Sequence, residues 1–301
     1  MVNAGERVLV ISPVRNEAAH IERVVRAVAA QELRPAHWVV VDDGSHDDTL
    51  AILRRLAPEV PFMRVVETRG GGSETARDRL AGGAAPRAFN VGLAAVGRCD
   101  FTHIMKLDGD VELPPHYLRE LLACFAADPR LGIACGDLAE ARRGRFRRIA
   151  IPPHHVHGAL KCYTRVCFEA IGGLQERLGW DTIDETYARM KDFRTRSFRE
   201  LVAVHHRRLG SADGTLRGRA RHGECAYIAH FSLPWVALRS LKAARSRPVV
   251  LSGLAFFYGY ARAAVRRAER VPDADFRRFA RWELRQRMLR TIGLARARAD
   301  A

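Results

Sequence analysis

The chain has 301 residues, 48% of them hydrophobic, so it can bury a substantial core as one large domain or as one domain with an extension. Its six cysteines lack the paired short spacings of a zinc site, and they predict reduced, buried thiols. A formal net charge of +16 predicts attraction to an anionic partner such as nucleic acid, a nucleotide or anionic lipid.

The positive charge is concentrated at the C-terminal end of the chain. Residues 217–301 contain nineteen Lys or Arg residues against six Asp or Glu residues. This asymmetry predicts a basic extension on a nearly neutral core. The short, polar N-terminus lacks the features of a signal peptide, so we expect a cytoplasmic location.

The first part of the chain alternates between strand and helix patterns. Short apolar runs predict strands, and apolar residues at helical spacing predict the helices between them. The strands are predicted at 7–12, 37–45 and 62–67, and the helices at 16–31 and 47–57. This alternation predicts a doubly wound α/β domain, whose ligands lie at the carboxyl ends of the strands.

The middle of the chain continues the same alternation with less regular segments. A Gly-rich loop is predicted at 68–86, a basic irregular segment at 141–160, helices at 87–97 and 114–128, and strands at 101–110, 132–138 and 202–206. The last of these strands is expected to end the core. We therefore predict an α/β domain over 1–215 and a basic, partly apolar helical extension over 216–301.

The extension contains a strongly apolar stretch between arginines. Residues 249–265 have helical periodicity, and no charged residue occurs in 249–261. The run is shorter than the roughly 20 apolar residues that a membrane-spanning helix needs. Arginines flank it at 245, 247, 262, 266 and 267. The pattern predicts an interfacial helix in the headgroup layer of an anionic membrane, with a buried helix packed on the core as the alternative.

Two adjacent carboxylates close the second predicted strand. Asp42 and Asp43 follow an apolar run at the sheet edge where doubly wound domains bind nucleotides. A carboxylate there can accept hydrogen bonds from a base N–H or from ribose hydroxyls. The alternative is local turn and cap chemistry, because Asp before Gly-Ser is common in turns.

The fourth predicted strand ends in a second acidic pair, Asp108 and Asp110, separated by Gly109. Residues i and i+2 of an extended segment point the same way, so both carboxylates can reach one ligand. A divalent cation between protein and phosphate would relieve their repulsion, and hard oxygen ligands suit Mg²⁺ or Mn²⁺. The alternative is a solvated turn, since Asp-Gly is a common turn dipeptide.

The order of four stretches identifies a resemblance that covers about residues 7–210. "VLVISPVRNEAAHIERVVRAVAAQ", "VVVDDGSHDDT", "RAFNVGL" and "IMKLDGD" together resemble family 2 glycosyltransferases of the GT-A fold, the type that builds bacterial polysaccharides and cell-surface glycans. The resemblance implies an α/β GT-A fold, a doubly wound mixed sheet with a C-terminal helical extension. It also implies transfer of a sugar from a nucleotide sugar.

The resemblance carries specific roles to matching positions. Asp110 matches the second Asp of the DXD motif and would be the direct metal ligand, with Asp108 beside it, and Mg²⁺ or Mn²⁺ is the implied cofactor. The implied nucleotide-binding residues are Pro13, Val14, Asn16, Glu17, Asp42 or Asp43, Arg87, Asn90 and Asp108.

A general base is implied about 70 residues after the DXD motif, where "GWDTIDE" spans 179–185. A carboxylate within hydrogen-bond reach of the acceptor hydroxyl can remove its proton. Asp181 is in register for this role, although Trp180 replaces the usual Glu, and Asp184 is the second candidate. The alternative is that Asp181 only caps a helix. Trp180 is predicted either to stack on a sugar ring or to lie in the core.

Basic residues follow the last predicted core strand. In several GT-A enzymes a C-terminal His completes the metal shell, and we assign this role to His206, with His205 left open as the alternative. The competing interpretation is a solvated or hydrogen-bonded His. Arg207 is predicted to contact the diphosphate of the substrate, because cations stabilise the charge of such a leaving group.

The resulting hypothesis is an inverting, metal-dependent glycosyltransferase with a UDP-linked donor and a glycan or lipid-linked acceptor. The basic extension would hold it peripherally at the cytoplasmic face of the plasma membrane, and nucleic acid is not expected as a partner. A nucleotidyltransferase is an alternative, but "SPVRNEAAH" (12–20) lacks the Gly-rich, Lys-containing loop of that class. The second alternative is a non-catalytic, basic module that binds nucleic acid or membrane. The oligomeric state is left open.

Overall fold

The computed structural model describes residues 5–69, 83–142, 145–149, 151–207 and 214–291. The chain divides into two compact units, Met1–Arg208 and Leu209–Ala301, which are treated separately below.

The first unit is built on one nine-stranded mixed sheet. The strands are β1 Val8–Val14, β2 His37–Asp43, β3 Met63–Thr68, β4 His103–Leu107, β5 Val111–Glu112, β6 Leu131–Arg142, β7 Arg145–Arg148, β8 Leu160–Thr164 and β9 Arg194–His205. Their order is β3-β2-β1-β4-β8-β6-β9-β5, with β7 paired to β6. The strands β1 to β4 are parallel, whereas β8 is antiparallel to both of its neighbours. The predicted α/β class with a mixed sheet is confirmed.

Six α-helices accompany this sheet among the described residues of the first unit. They are α1 Ile21–Ala29, α2 Thr49–Leu56, α3 Ala84–Val96, α4 Tyr117–Ala127, α5 Arg165–Ala170 and α6 Trp180–Met190. The apolar stripe predicted for α1 is the face that it buries, formed by Ile21, Val24, Val25 and Val28. The buried Trp38 of β2 satisfies its indole N–H by donating to Ser12 Oγ of β1 at 3.0 Å.

The first predicted helix begins later than its sequence pattern indicated. Asn16 has a positive φ of 53°, which is uncommon for a non-glycine residue and interrupts the helical backbone. Its side-chain oxygen accepts a hydrogen bond from His46 N at 2.8 Å, so this residue belongs to a loop contact. The helix therefore starts at Ile21, not at residue 16.

The region after residue 140 contains more strand than expected. The segment 141–160, predicted to be irregular, includes β7, and β8 begins at its end. The last strand is also longer than the predicted 202–206, because β9 begins at Arg194. A register shift between Gly136 and Asp137 of β6 lies opposite residues 199–201 of β9. Such an irregularity breaks the period-two alternation, which concealed the strand. Most of the loop predicted at 68–86 lies outside the described residues.

The second unit is helical over its described residues. Its helices are α7 Thr215–Ile228, α8 Leu233–Ala244, α9 Leu251–Val265 and α10 Ala274–Thr291. Helices α7 and α8 are separate elements, because His230 has a positive φ and Pro234 lies in the first turn of α8. In the described part of the chain, every helix falls short of the length and apolarity that a bilayer crossing requires.

Close packing of α7 and α9 forms the centre of this unit. A Cβ added to Gly223 would lie 1.9 Å from Phe256 O, and one added to Gly259 would lie 1.8 Å from Ala220 O. Only glycine permits backbones to approach this closely. The core beside this contact contains Ala226, Tyr227, Val236, Phe256, Tyr260 and Ala263.

Candidate active site

Two loops at the carboxyl ends of β1 and β2 are joined by hydrogen bonds. The backbone N–H of Asn16 donates to Ser45 Oγ at 3.0 Å, and His46 N donates to the Asn16 side chain. The N–H of Glu17 donates to Thr49 Oγ1 at 2.7 Å. The polar residues of "DGSHDDT" therefore hold the loop after β1 in place.

Asp42 and Asp43 lie at this edge, and both are buried. The Asp42 carboxylate accepts hydrogen bonds from Ser45 N, at 3.2 Å, and from Ser45 Oγ. Asp43 Oδ1 accepts from Thr68 Oγ1 at 2.8 Å. Both carboxylates thus take part in local turn contacts, and their nucleoside-binding role stays a prediction.

Gly109 joins the end of β1 to the acidic pair that follows β4. A Cβ added to Gly109 would lie 2.7 Å from Val14 Cγ1 and 3.1 Å from Glu17 Cγ. The backbone between Asp108 and Asp110 is therefore packed against the end of β1, where only glycine fits without displacement. This contact places the acidic pair against the end of β1 and the loop that follows it.

Asp110 lies in a cluster of charged side chains. Its Oδ1 is 3.3 Å from His205 Nε2, and its Oδ2 is 3.7 Å from Arg207 Nε. Arg207 also donates from Nη2 to Glu17 Oε2 at 2.6 Å and to Asn16 O at 3.1 Å. The end of β9 thus closes onto both β1 and the acidic pair.

The pKa values in this cluster are shifted by burial and by charge. Burial and the negative charge of Asp110 raise the pKa of Glu17 to about 8, against the opposing effect of Arg207. Although burial opposes both shifts, the Asp110–His205 hydrogen bond raises the pKa of His205 and lowers that of Asp110. The site therefore concentrates carboxylates whose mutual repulsion a cation would relieve.

The structure places His205, rather than His206, beside Asp110. His206 Nε2 lies 2.7 Å from Glu112 Oε2, and its Nδ1 lies 3.1 Å from Arg23 Nη1. The His206 ring also stacks on His20 with centroids 5.8 Å apart. Successive side chains of a strand point to opposite faces, which explains why the two histidines have different partners.

The donor set around Asp110 fits part of a divalent-metal shell. Carboxylate oxygen suits Mg²⁺ or Mn²⁺, and Nε2 of the buried His205, the imidazole nitrogen that faces Asp110, is a further donor. Among the described residues, no group of three or more His, Cys, Asp or Glu side chains is arranged to hold a metal ion without other ligands. Magnesium sites commonly use one or two carboxylates together with substrate phosphates. Asp110 and His205 fit the protein's share of such a shell.

Asp108 is held by a buried lysine that sequence reasoning did not identify. Lys106 Nζ donates to Asp108 Oδ1 and also to Gly158 O at 2.9 Å. A Cβ added to Gly158 would lie 3.3 Å from Asp181 Cβ. A short series of contacts therefore runs from Asp108 through Lys106 and Gly158 to Asp181.

Trp180 lies close to two buried lysines on adjacent strands. Lys106 of β4 and Lys161 of β8 are direct cross-strand partners. Their ammonium groups lie 5.4 and 5.5 Å from the centroid of the Trp180 ring. Like charges opposite each other on a sheet are destabilising, and an aromatic face shared by both cations offsets part of that cost. The half-buried indole thus packs against the core at the edge of the site.

Lys161 is the centre of a buried ionic network. Its Nζ lies 3.1 Å from both carboxylate oxygens of Asp184 and 3.1 Å from Glu185 Oε1. Tyr163 donates its hydroxyl to Asp184 Oδ2 at 2.5 Å. Asp184, the second candidate for the general base, is therefore buried and already bonded to two side chains.

Glu185 extends the network to the segment before β8. Its carboxylate accepts from Val156 N at 2.9 Å and lies 3.0 Å from His155 Nδ1. Burial opposes ionisation here, but Lys161 and His155 hold the pKa of Glu185 well below its ordinary value. Burial and the charge of Glu185 raise the pKa of Asp184 despite Lys161. The sequence feature that could have indicated this network is Lys161, a lysine inside the apolar run "ALKCYT".

Asp181 lies in the first turn of α6, next to this network but outside it. Lys161 Nζ donates to the backbone oxygen of Asp181 at 2.6 Å. The Asp181 side chain is partly exposed, and no described residue donates a hydrogen bond to its carboxylate. The network fixes the backbone of Asp181 and leaves its carboxylate available to a ligand.

Arg87 and Asn90 project from α3 toward the segment that precedes α6. Asn90 Nδ2 donates to Leu174 O at 3.1 Å and to Glu176 Oε1 at 3.0 Å. Arg87 Nε lies 3.6 Å from Glu176 Oε2. The structure thus connects both residues to the approach to α6, and their contact with a nucleotide stays a prediction.

Replacing Lys161 by methionine should destabilise the first unit strongly. The change leaves Asp184 and Glu185 buried without their shared cation, and breaking a buried ion pair costs about 3 to 5 kcal/mol. Urea unfolding of Lys161→Met measures the loss. Lys191→Met, at an exposed position after α6, should change the free energy of unfolding by less than about 0.5 kcal/mol. Equal stabilities of the two variants would contradict the network's role.

Protonation of His157 is expected to lower the free energy of unfolding in acid. Burial, followed by repulsion from His155, lowers the pKa of His157 from 6.5 to about 4. Between these values the unfolded chain binds the proton more tightly, so acidification through this range should cost on the order of 3 kcal/mol. Unfolding of His157→Gln at pH 4 to 7 should show a shallower pH dependence than the wild type. His37→Gln, at an exposed position, should retain the wild-type dependence, and identical profiles for both variants would refute the prediction.

Comparison with known proteins agrees with this geometry. The model for glycosyl transferase family 2 matches residues 9–154, which include the ends of β1, β2 and β4. None of the curated proteins compared with the chain matches it in sequence.

Several solved structures resemble the chain. The mannosyltransferase PcManGT from Pyrobaculum calidifontis, in complex with GDP-Man and Mn²⁺, is 21% identical, with 88% of this chain and 76% of that chain covered and a TM-score of 0.55. TarS from S. aureus is 15% identical, with 85% of this chain and 43% of that chain covered and a TM-score of 0.52. A TarS structure in complex with UDP-GlcNAc is 16% identical, with coverages of 85% and 71% and a TM-score of 0.51. At these identities the likeness shows a shared fold. Residues 9–154 therefore match the glycosyl transferase family 2 model, and the chain shares the GT-A fold of these glycosyltransferases.

Proposed function

We propose that the protein transfers a sugar from a nucleotide sugar to an acceptor hydroxyl, with inversion at the anomeric carbon and with dependence on Mg²⁺ or Mn²⁺. The observation that carries the proposal is the position of Asp110, beside His205 and Arg207 at the sheet edge that also holds Glu17 and Asp42. The match to the family favours sugar transfer over nucleotidyl transfer.

The nucleoside would bind where the loops after β1 and β2 are joined. Pro13, Val14, Asn16 and Glu17 would form one side of this position, and Asp42 or Asp43 the other. Backbone and carboxylate groups at the carboxyl ends of parallel strands suit base and ribose recognition. The hydrogen bonds from Asn16 to Ser45 and from Glu17 to Thr49 would keep this position formed before the donor arrives.

Asp110 and His205 would hold the metal, and Asp108 would complete the acidic edge. The bound cation would supply charge neutralisation for the departing diphosphate. Arg207 would add a second positive charge at the same place, because its guanidinium lies between Glu17 and Asp110. Preorganised positive charge stabilises a leaving group most effectively when it is partly removed from water.

Asp181 would act as the general base. Its carboxylate takes the proton of the acceptor hydroxyl while the hydroxyl oxygen forms a bond to the anomeric carbon. The bond from that carbon to the phosphate oxygen breaks at the same time, and the nucleoside diphosphate leaves with the electron pair. A single displacement with one base inverts the configuration at the anomeric carbon.

We propose a UDP-linked donor and a glycan or lipid-linked acceptor, with the enzyme peripheral at the cytoplasmic membrane face. The PcManGT and TarS structures contain GDP-Man and UDP-GlcNAc respectively, so both donor classes need to be compared.

The test is a thermal-unfolding panel of nucleotide sugars with and without Mn²⁺. A ligand that binds the native state raises the unfolding midpoint, so one panel reports both base identity and metal dependence. A UDP-sugar that raises the midpoint only with Mn²⁺ supports the proposal. A panel in which no nucleotide sugar changes the midpoint, with or without Mn²⁺, would overturn it.

A further inference from the structure

The outer face of α9 is apolar and exposed to solvent. Leu254, Phe257, Tyr258 and Val265 expose 59%, 47%, 59% and 84% of their surface. At about 100° per residue, these positions fall on one side of the helix, together with Leu251. The opposite side contains Phe256, Tyr260 and Ala263, which pack in the core of the second unit. The helix is therefore apolar on both sides, although a surface helix normally presents polar residues to water.

The exposed face continues into the segment before the helix. Val249, Val250 and Leu251 are 60%, 57% and 51% exposed. No charged residue occurs between 249 and 261. We call the exposed side chains of Val249, Val250, Leu251, Leu254, Phe257, Tyr258 and Val265 the outer α9 face. A contiguous apolar surface of this kind marks an interaction site more often than an accident of packing.

Exposed arginines border the outer α9 face at both ends. Arg245 and Arg247 precede it, and Arg266 and Arg267 follow it directly. Arg262 is partly neutralised by Glu224, with Nη2 and Oε2 2.9 Å apart. An apolar stripe with basic residues at its ends has the composition of a helix that lies in the headgroup layer of a membrane. There the apolar side chains enter the acyl boundary while the guanidinium groups remain with the phosphates.

We propose that the outer α9 face docks the protein on an anionic lipid bilayer. The alternative occupants fit the charge less well. A second copy of the chain would bring the same arginines together, whereas anionic lipid is complementary to them. Nucleic acid would match the arginines but leaves the apolar side chains exposed. The outer α9 face would thus be the surface that makes the membrane contact of the proposed function, on which this inference rests. Its test does not depend on sugar transfer.

Vesicle flotation of the full chain tests the proposal. The probes are vesicles of phosphatidylglycerol mixed with phosphatidylcholine, and vesicles of phosphatidylcholine alone. The wild type should float with the anionic vesicles, and binding should weaken as salt rises because exposed charges are screened. The variant Leu254→Ser/Phe257→Ser should reduce the partition coefficient by about tenfold or more, since two apolar side chains no longer enter the bilayer.

The control variant carries the same kind of change outside the outer α9 face. Phe146 of β7 and Val166 of α5 are 68% and 69% exposed and lie in the first unit. Phe146→Ser/Val166→Ser should bind vesicles as the wild type does. A further variant, Leu254→Trp, keeps the surface apolar and adds a fluorescent reporter. When anionic vesicles are added, the tryptophan emission of this variant should shift to the blue by more than that of the wild type.

Three results would overturn the docking surface. They are equal flotation of the Leu254→Ser/Phe257→Ser and wild-type proteins, no flotation of the wild type, and a dimer that this variant disperses without any vesicle binding. Transfer to a soluble acceptor, assayed alongside, separates the two proposals. If the wild type transfers sugar but does not float with anionic vesicles, only the docking surface is overturned. If the wild type floats but shows neither transfer nor nucleotide binding, only the proposed function is overturned.

Discussion

Asp110→Asn is expected to lower the rate of sugar transfer by about 10² to 10³-fold, with little change in the unfolding midpoint. Asp110 is the buried carboxylate that lies next to both His205 and Arg207. Asparagine keeps the size of the side chain and removes the charge that a divalent cation requires. The variant loses the attraction of Asp110 to His205 and Arg207 but relieves its repulsion of Glu17, so the two effects on stability oppose each other and the protein should remain folded. Initial rates at saturating donor across a Mn²⁺ titration measure the effect.

Glu112→Gln is the matched control for this variant. Glu112 lies two residues further along the chain, and its carboxylate contacts His206, not His205. The same change of charge there should leave transfer near the wild-type rate. If Asp110→Asn retained the wild-type rate and the wild-type dependence on Mn²⁺, the proposed role of this acidic pair would be wrong.

Asp181→Asn should lower kcat by about 10² to 10⁴-fold, the usual contribution of a general base. The donor KM and the unfolding midpoint should remain close to the wild-type values. The Asp181 backbone is held by Lys161, and its carboxylate receives no hydrogen bond from a described residue. The substitution therefore removes a proton acceptor without removing a structural contact. Steady-state kinetics with varied donor and acceptor concentrations separate the two parameters.

Asp184→Asn should produce the opposite result. Asp184 is buried and accepts from Lys161 and Tyr163, so a weaker acceptor should cost about 1 to 3 kcal/mol of stability. The rate per folded molecule should change much less than in Asp181→Asn. Loss of transfer in Asp184→Asn at unchanged stability, with activity retained in Asp181→Asn, would instead assign the base to Asp184.

The local patterns of the sequence predicted the elements that carry the acidic residues. Apolar runs followed by Asp42 and Asp108 predicted strands, and β2 ends at Asp43 while β4 ends at Leu107, directly before Asp108. The spacing of Ile21, Val24, Val25 and Val28 predicted the buried face of α1. These signals are reliable because they depend on the alternation of burial within one element, which the chain records residue by residue.

The partners of the charged residues depended on contacts across the sheet. Lys106 and Lys161 are 55 positions apart in the chain, yet they face each other on β4 and β8. Neither residue was assigned from sequence, because a lysine in an apolar run has no local feature that names its counter-ion. Lys161 likewise binds the carboxylate of Asp184 but only the backbone oxygen of Asp181, a difference that no local pattern in the sequence indicates.

The sequence by itself thus determined the fold class, the family resemblance and the acidic residues at 42–43, 108–110 and 181–184, because each depends on short patterns within one element. Only the tertiary structure decided that His205 rather than His206 faces Asp110. The two histidines are adjacent, and the register of β9 after its irregularity determines which of them points to each face. The tertiary structure likewise showed that α9 is both buried and exposed, because the packing of α7 against Gly259 covers one side of an otherwise apolar helix.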